Sequence, residues 1–351
     1  MKAYQVTEFS APLEAREIAT PEPTGTEVLI KVDKAGVCHS DLHIHDGYYS
    51  LVGGERLDLG DRGITLPRTL GHELYGEIVA GGPDAGDLAI GESRLIYPWI
   101  GCGECAVCLA GNENVCAAPR SVGVFRDGAY ADYCLIPHSK YLVDIGNLDP
   151  VVATPYSCSG VTVYSALSKA LPVSSEEWLV IMGAGGLGLN AVAIARARGV
   201  ENVLVVDIDD TKLDAATEMG ATAVLNPTQD DALSQLQSIT NGGPRAVVDT
   251  VGAESTATLG IAALQKGGRY VIVGLFGGGV TIALPTLPLR AISVLGSYTG
   301  NLTELKALIE LANSGKVKPL PVSTRPMAEV ADTLDELRDG KIVGRVVMSN
   351  S

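Results

Sequence analysis

The chain has 351 residues and a formal net charge of −15. This length exceeds what one compact core usually organises and predicts about two domains. The negative charge disfavours nucleic acid and anionic membrane surfaces as partners, because both would repel the protein at long range, and it favours a small-molecule partner.

The N-terminal segment, residues 1–14, mixes charged with apolar residues and lacks the apolar core of a secretory signal. No stretch approaches the roughly 18 uninterrupted apolar residues of a membrane span. Cysteines that stay reduced fit a reducing compartment. The sequence therefore predicts a cytoplasmic protein.

The first half of the chain, up to about residue 155, is rich in glycine, proline and short β-type runs. The clearest runs are residues 28–32, 76–80 and 94–97. Such short runs, separated by glycine and proline, predict an irregular β-rich domain.

Four cysteines lie close together in this half: Cys102, Cys105, Cys108 and Cys116 form the pattern C-x2-C-x2-C-x7-C. Four thiolates at this spacing can surround one zinc ion and leave no open coordination position. The ion is therefore expected to brace this segment, the cysteine lobe (residues 98–118), without taking part in chemistry. Disulfides and an iron–sulfur cluster are the alternatives.

The second half alternates apolar strands with helical segments. A strand at 178–182 enters a glycine turn, a helix of small residues follows at 189–198, and a second strand follows at 203–207. The alternation continues with a strand at 246–251, a helix at 255–265 and strands at 269–274 and 292–297. This order predicts a doubly wound parallel sheet with helices on both faces.

The glycine turn reads Gly183-Ala184-Gly185-Gly186-Leu187-Gly188 and contains G-x-G-x-x-G between the predicted strand and helix. Glycines in this context let backbone N–H groups at a helix N-terminus approach a pyrophosphate. Asp207 ends the next strand, where a carboxylate accepts hydrogen bonds from the adenosine ribose. Because Asp209 and Asp210 follow and no arginine adjoins Asp207, a 2′-phosphate would be repelled. The expected cofactor is NAD.

Outside the lobe, three cysteines remain, Cys38, Cys134 and Cys158, together with five histidines. A catalytic zinc site needs three protein ligands and an open position, and two cysteines with one histidine satisfy that need. Cys38, His72 and Cys158 are candidates, but spacing alone cannot choose them, because such ligands often lie far apart in sequence. A lone buried cysteine is more often an apolar packing residue.

Several segments occur in the order seen in zinc-dependent medium-chain alcohol dehydrogenases. They are residues 36–41, 71–76, the cysteine lobe and the glycine turn. Residues 154–162 resemble the third-ligand segment of the tetrameric bacterial and archaeal members, and residues 344–347 resemble their C-terminal strand. The resemblance spans nearly the whole chain.

This resemblance implies roles for particular residues. Cys38, His72 and Cys158 would be the catalytic zinc ligands, with Glu73 behind the metal and Asp41 orienting the His72 ring. Ser40 and His43, with the nicotinamide ribose between them, would carry the substrate proton to solvent. Cys134 matches no ligand position and is expected in the core.

The resemblance also implies contacts to cofactor and substrate. His39 and Arg345 would contact the pyrophosphate, and Lys212 the ribose. An apolar substrate pocket would be lined by bulky residues, namely Trp99, Tyr48, Leu275 and Tyr298. Residues 48–67 would form a lid or a subunit contact.

The implied fold is α/β in two parts. A GroES-like β-rich catalytic domain would comprise residues 1–155 and 297–351, and a Rossmann NAD-binding domain would comprise residues 156–296. The implied cofactors are NAD and two zinc ions per chain, one catalytic and one structural. A homotetramer is the implied assembly, with a homodimer as the alternative.

The implied activity is NAD-dependent, zinc-dependent oxidation of primary or secondary alcohols, cyclic and aromatic ones included, to aldehydes or ketones, and the reverse. Two other functions stay open. A polyol or sugar dehydrogenase of the same superfamily would need polar groups in the pocket, which the bulk of Trp99 disfavours. A catalytically silent NAD-binding sensor would have no need of an open zinc position.

Overall fold

The computed structural model of the protein describes residues 1–228 and 231–350 and contains two main β-sheets. None of the described helices is long and apolar enough to cross a membrane. The N-terminal strands are β1 (Lys2–Val6), β2 (Glu14–Glu17), β3 (Val28–Gly36), β4 (Tyr48–Ser50), β5 (Arg56–Asp58), β6 (Arg68–Thr69), β7 (Glu73–Gly81), β8 (Ser93–Ile96), β9 (Tyr133–Ile136) and β10 (Leu142–Val143).

The second half contains the parallel sheet that the sequence predicts. Its strands are β11 (Leu179–Met182), β12 (Val203–Val206), β13 (Ala223–Leu225), β14 (Ala246–Asp249), β15 (Arg269–Ile272) and β16 (Ser293–Gly296). They lie in the order β13-β12-β11-β14-β15-β16, and every pair is parallel. Strands β11, β12 and β14 are buried throughout, as expected for a parallel sheet covered on both faces. The strand order reverses between β11 and β14, which is where doubly wound sheets bind ligands.

Two strands after this sheet return to the first one: β17 (Val322–Pro326) and β18 (Arg345–Ser349). The resulting mixed sheet has the order β10-β8-β7-β3-β18-β17, with β9 also pairing with β3. Strand β18 is antiparallel to β3 and parallel to β17. The chain therefore leaves the N-terminal sheet, builds the parallel sheet and then comes back.

The described α-helices are α1 (His39–Asp46), α2 (Ala106–Leu109), α3 (Pro150–Ala153), α4 (Ser159–Ala170), α5 (Gly186–Ala197), α6 (Asp210–Glu218), α7 (Ala232–Ile239), α8 (Glu254–Ala263), α9 (Thr286–Arg290), α10 (Leu302–Asn313) and α11 (Val330–Arg338). Helix α5 begins within the predicted glycine turn, and β11 and β12 flank it in sequence as predicted. Helices α4 and α5 pack on each other and join the parallel sheet to the rest of the molecule.

Helix α1 is fixed at both ends by its own sequence. Cys38 is its N-cap in extended backbone, and the Asp41 carboxylate accepts a hydrogen bond from the Cys38 N–H. At the other end Gly47 has φ +82°, a left-handed conformation that favours glycine. The helix therefore starts at Cys38 with little freedom to shift.

Residues 48–67, whose role the sequence left open, contain the antiparallel hairpin of β4 and β5. The hairpin packs on the loop after β15. A Cβ atom at Gly277 would lie 2.6 Å from the Ser50 carbonyl oxygen, and one at Gly279 would lie 2.4 Å from the Val52 side chain. The hairpin thus touches the part of the chain that belongs to the parallel sheet.

Candidate active site

The first cluster of ligand-type atoms comes from three segment ends. Cys38 precedes α1, His72 directly precedes β7, and Cys158 directly precedes α4. Register brings the first two together, because Gly36 of β3 pairs with Glu73 of β7. A Cβ at Gly36 would lie 1.9 Å from Glu73 Oε2, so this approach requires glycine.

The ligand atoms of this cluster are buried and close. Cys38 Sγ lies 3.9 Å from Cys158 Sγ, and His72 Nε2 lies 3.2 Å from Cys158 Sγ. Tetrahedral zinc, with Zn–S bonds of about 2.3 Å, holds two thiolates roughly 3.8 Å apart. Glu73 belongs to the same group, in which all ligand atoms lie within 4.8 Å of one another. The spacing fits one zinc ion.

Asp41 holds the His72 ring. Its Oδ1 lies 3.0 Å from His72 Nδ1 and also accepts a hydrogen bond from the Gly71 N–H. Its Oδ2 accepts from the Tyr130 hydroxyl at 2.8 Å. Because Nδ1 faces this carboxylate, Nε2 is left to face the cysteine sulfurs. The structure thus brings Asp41 against the His72 ring, and its orienting role stays a prediction.

Glu73 and Arg345 form a fully buried ion pair beside the cluster. The Ser159 N–H also donates to Glu73, at 3.4 Å. Burial raises the pKa of Glu73 to about 7, and the Arg345 charge opposes that rise. The Arg345 side chain also runs along the glycine turn, since a Cβ at Gly186 would lie 2.4 Å from its Cδ. One arginine therefore touches both the metal-type cluster and the turn.

Ser40 and His43 lie one turn apart on α1 and so share a face. Ser40 Oγ lies 3.9 Å from Cys38 Sγ. The His43 ring contacts Tyr49, with centroids 4.9 Å apart, and lines a cavity between α1 and α8. Burial lowers the pKa of His43 below 6.5, which favours the neutral imidazole at pH 7. A neutral imidazole can accept a proton.

The cysteine lobe brings its four thiols together, and all lie within 4.8 Å of one another. The Cys105 and Cys108 sulfurs are 3.5 Å apart, and no cysteine of the chain is in a disulfide. Backbone N–H groups of Glu104 and Cys105 lower the pKa of Cys102 to about 6. Unoxidised sulfurs at this spacing fit a tetrahedral ion.

Cys134 lies apart from both clusters. It is buried, its thiol donates to the Asp127 carbonyl, and burial raises its pKa to about 12. A thiol with so high a pKa stays protonated and unreactive. This matches the packing role expected from the sequence.

The glycine turn leaves open space at the start of α5. Gly183 has φ +92°, and a Cβ at Gly188 would lie 1.8 Å from the Gly183 carbonyl oxygen. A Cβ at Gly185 would meet no protein atom within 4 Å. The space at Gly185 therefore opens outward, at the N-terminus of α5, where N–H groups and the helix dipole favour an anion.

Asp207 lies beside this turn. Its carboxylate accepts hydrogen bonds from the Ala184 N–H at 2.6 Å and from the Asp209 N–H at 3.0 Å. Lys212 lies on α6 with its Nζ 3.8 Å from Asp209. His39 is exposed at the start of α1 and lines the same cavity as His43. That cavity has a volume of about 1100 Å³.

The residues expected in the substrate pocket are only partly brought together. The Trp99 ring lies 5.3 Å from the His72 ring and 6.1 Å from the Tyr298 ring, measured between centroids. Tyr48 instead lines the cavity beside His39, and the Arg56 guanidinium lies 3.9 Å from the centre of its ring. Leu275 is exposed in the loop after β15, next to Phe276, which lines that cavity.

Sequence reasoning missed two residues that contact this site, Tyr130 and Tyr49. Tyr130 reaches Asp41 across 89 residues, and no spacing rule signals such a contact. Tyr49, next to Tyr48, is the tyrosine that contacts His43. Thr162 follows Cys158 by one turn of α4, and its buried hydroxyl has no partner among the described residues. The Arg345 Nε is likewise unpartnered, which leaves a buried donor beside the glycine turn.

Two family models match the chain. The alcohol dehydrogenase GroES-like domain matches residues 24–147, and the zinc-binding dehydrogenase domain matches residues 186–314. An NAD-dependent alcohol dehydrogenase of Sulfurisphaera tokodaii is 39% identical over 349 residues, 99% of each chain. The chain therefore belongs to the zinc-dependent medium-chain alcohol dehydrogenase family and is an enzyme. The predicted family and the two-part α/β fold are confirmed.

Solved structures are similar over the same span. The alcohol dehydrogenase of the hyperthermophilic archaeon Aeropyrum pernix gives a TM-score of 0.90 at 28% identity and covers 99% of this chain and 100% of its own. Acetophenone reductase of Geotrichum candidum, in complex with NAD, gives 0.86 at 29% identity and covers 99% and 97%. Both similarities extend across the two sheets.

Proposed function

We propose that the protein is an NAD-dependent, zinc-dependent alcohol dehydrogenase that oxidises primary or secondary alcohols, cyclic and aromatic ones included, and reduces the corresponding aldehydes or ketones. One observation carries this proposal: two sulfurs and one imidazole nitrogen converge at zinc spacing beside a glycine turn that Arg345 also touches. Family membership supports the same reaction.

Cys38, His72 and Cys158 are the proposed catalytic zinc ligands, and Cys102, Cys105, Cys108 and Cys116 are the proposed structural ligands, which makes two zinc ions per chain. A zinc ion held by the first set would supply a Lewis acid that lowers the pKa of the substrate hydroxyl. Asp41 orients His72, and Glu73 stays behind the cluster, paired with Arg345. The closed lobe set has no free position and braces the lobe.

The proposed NAD contacts are Gly183, Gly185, Gly186, Leu187 and Gly188 at the pyrophosphate, with Asp207 and Lys212 at the adenosine ribose and His39 and Arg345 at the phosphates. The open space at Gly185 and the unpartnered Arg345 Nε support these assignments. NAD held by these residues would supply the hydride acceptor. The chain's task is to hold that carbon and the nicotinamide together and to exclude water.

The proposed proton path starts at Ser40. Its hydroxyl can accept the substrate proton and donate its own, and His43, one turn further on α1, can take the proton towards the cavity. The lowered pKa of His43 keeps that imidazole neutral and able to accept. Tyr49 holds the ring from one side.

The proposed substrate pocket lies against Trp99 and Tyr298, next to His72. Trp99 is buried, and its indole N–H already donates to the Ser157 carbonyl, so it presents only its apolar ring. Tyr49 joins this list because it contacts His43, and Tyr48 and Leu275 stay as outer lining residues. An apolar wall supports ring-bearing alcohols over polyols and sugars.

We also propose that residues 1–155 and 297–351 form the catalytic domain and residues 156–296 the coenzyme domain, which the pairing of β18 with β3 supports. A cytoplasmic, homo-oligomeric protein is proposed, a tetramer first and a dimer second. Exposed strand β16 at the sheet edge, with exposed Leu284 and Leu289 nearby, supports self-association. Light scattering distinguishes the two assemblies.

The test follows NADH absorbance with linear, secondary, cyclic and benzylic alcohols and sorbitol, using protein of known zinc content. Turnover that chelation abolishes and zinc restores supports the proposal. Cys38→Ser is expected to fold and bind NAD but to lose turnover. Cys134 is a buried cysteine outside both clusters, and Cys134→Ser is expected to keep turnover. Unchanged turnover in Cys38→Ser would contradict the proposed catalytic zinc site. Turnover of sorbitol alone would favour the polyol alternative.

A further inference from the structure

The segment that follows β16, residues 297–301, is tied down by side chains from several directions. The Tyr97 hydroxyl donates to the Gly300 carbonyl at 2.8 Å, and Lys169 Nζ donates to Ser297 Oγ at 2.7 Å. These contacts come from the β-rich part and from α4. Two further contacts come from the cysteine lobe.

The lobe contacts are both made by asparagines. Asn114 Nδ2 donates to the Tyr298 carbonyl at 3.0 Å, and Asn301 Nδ2 donates to Asn112 Oδ1 at 3.1 Å. Asn112 and Asn114 lie between Cys108 and Cys116, so sulfur ligands flank both. Glu113, between them, accepts hydrogen bonds from the Gly101 N–H and the Tyr141 hydroxyl. Glu113 therefore ties this stretch of the lobe to Gly101 and to Tyr141.

The held segment contains a strained residue. Thr299 has φ +44°, in the left-handed region, although it is β-branched. It is buried, and its hydroxyl has no partner among the described residues. A backbone conformation of this kind persists only where the surroundings over-determine it, and it is typical of functional sites. The hydrogen bonds of Asn112 and Asn114, made on either side of Thr299, help to hold this conformation.

Tyr298, whose carbonyl Asn114 holds, is the residue whose ring faces Trp99, and Trp99 in turn faces His72. We propose that Asn114 is a positioning residue through which the cysteine lobe fixes the Tyr298 wall of the substrate cleft. The lobe then sets substrate selectivity in addition to bracing the fold. What the cleft binds rests on the proposed function, whereas the contact between Asn114 and Tyr298 does not.

The test compares Asn114→Ala with the wild type as full-length, zinc-loaded enzyme. Losing one hydrogen bond is expected to raise the KM for benzylic and cyclohexyl alcohols by roughly three- to tenfold, with ethanol changing by less than about twofold. Zinc content, NAD affinity and Tm stay unchanged. Asn114→Asp replaces the amide donor with an acceptor that faces the Tyr298 carbonyl, and it is expected to raise the KM at least as much. Val115→Ala, an exposed neighbour on the same turn, is the matched control and leaves KM unchanged.

A second readout needs no turnover. The chain has two tryptophans, and in a Trp178→Phe background Trp99 alone reports on the cleft. Acrylamide quenching of Trp99 is expected to rise in Asn114→Ala, because the Tyr298 ring no longer shields it. Unchanged quenching and KM would overturn the proposal, as would an equal loss for every alcohol together with lowered zinc content. If the wild type oxidises no alcohol, the proposed function fails, while quenching still decides whether Asn114 holds the wall.

Discussion

Asp41 and His72 form a pair with no exposed side-chain surface, in which Asp41 Oδ1 lies 3.0 Å from His72 Nδ1. A carboxylate behind a ligand histidine fixes its tautomer and raises its basicity, and its removal typically costs 10- to 100-fold in metal affinity. Asp41→Asn is therefore expected to release one zinc per chain to a competing chelator at about 10-fold lower chelator concentration. Asp46→Asn, on the same helix but paired with Arg338, is the control and keeps both zincs.

A second prediction concerns Gly185. Because a Cβ there meets no protein atom within 4 Å, Gly185→Ala is expected to fold with unchanged Tm. The added methyl would occupy the space proposed for the pyrophosphate, so NAD affinity should fall by at least about tenfold, or roughly 1.4 kcal/mol. Fluorescence titration with NADH measures this, with Gly60→Ala as the control. Normal NADH binding by Gly185→Ala would place the pyrophosphate elsewhere.

A third prediction concerns cofactor choice. Asp207→Gly removes the carboxylate that accepts a hydrogen bond from the Ala184 N–H. It also removes the charge that would repel a 2′-phosphate. The ratio of kcat/KM for NAD to that for NADP is expected to fall by more than about tenfold, which is approximately the effect of one strong charged contact. Asp210→Asn controls for charge alone, since Asp210 pairs with Asn226. An unchanged ratio would take Asp207 out of this role.

A fourth prediction follows from the pKa of His43, which burial lowers below 6.5. Above that lowered pKa the imidazole is neutral and can accept the proton; as pH falls through it, the ring is protonated and the path closes. Alcohol oxidation is therefore expected to show an acid limb with its midpoint below 6.5. His43→Gln should lose that limb and about 10²-fold in kcat, with partial rescue by free imidazole. His45→Gln, whose ring bonds to the Ala11 carbonyl, should retain it.

A fifth prediction concerns the cysteine lobe. Cys105→Ser is expected to lower zinc content by one per chain and to lower Tm by more than about 4 °C, because a structural ion contributes folding free energy. NAD affinity should be retained, since the glycine turn lies in the other sheet. Val107→Ala, exposed on the same short helix, is the control. Full zinc content in Cys105→Ser would argue against a four-thiolate site.

Local patterns predicted much of this molecule. The glycine turn, its flanking strands and the cysteine spacing are local features, and the structure contains the turn between β11 and α5 as expected. The family resemblance supplied Cys38, His72 and Cys158, which no spacing rule could have grouped. Those atoms do converge in the structure.

The contacts that local patterns could not supply are those between distant segments. Tyr130 reaches Asp41, and Asn114 reaches Tyr298 across 184 residues, and each depends on tertiary packing. Tyr48 and Tyr49 are neighbours on β4, and neighbouring side chains of a strand point to opposite faces. The register of the strand therefore decides which of the two contacts His43. Arg345 was expected at the pyrophosphate, and its pairing with Glu73 has no sequence signal.

The return of β18 to the mixed sheet, where it lies between β3 and β17, bears on the order of biosynthesis. Arg345 pairs with Glu73 across 272 residues, and the ribosome makes all six strands of the parallel sheet between them. Cys38, His72 and Cys158 therefore leave the ribosome long before β18, which pairs with β3 next to Cys38. During that interval the cluster lacks the Glu73–Arg345 ion pair, and the parallel sheet has time to fold first. Metal acquisition at this site is expected to be completed late, after the β18 strand has been inserted.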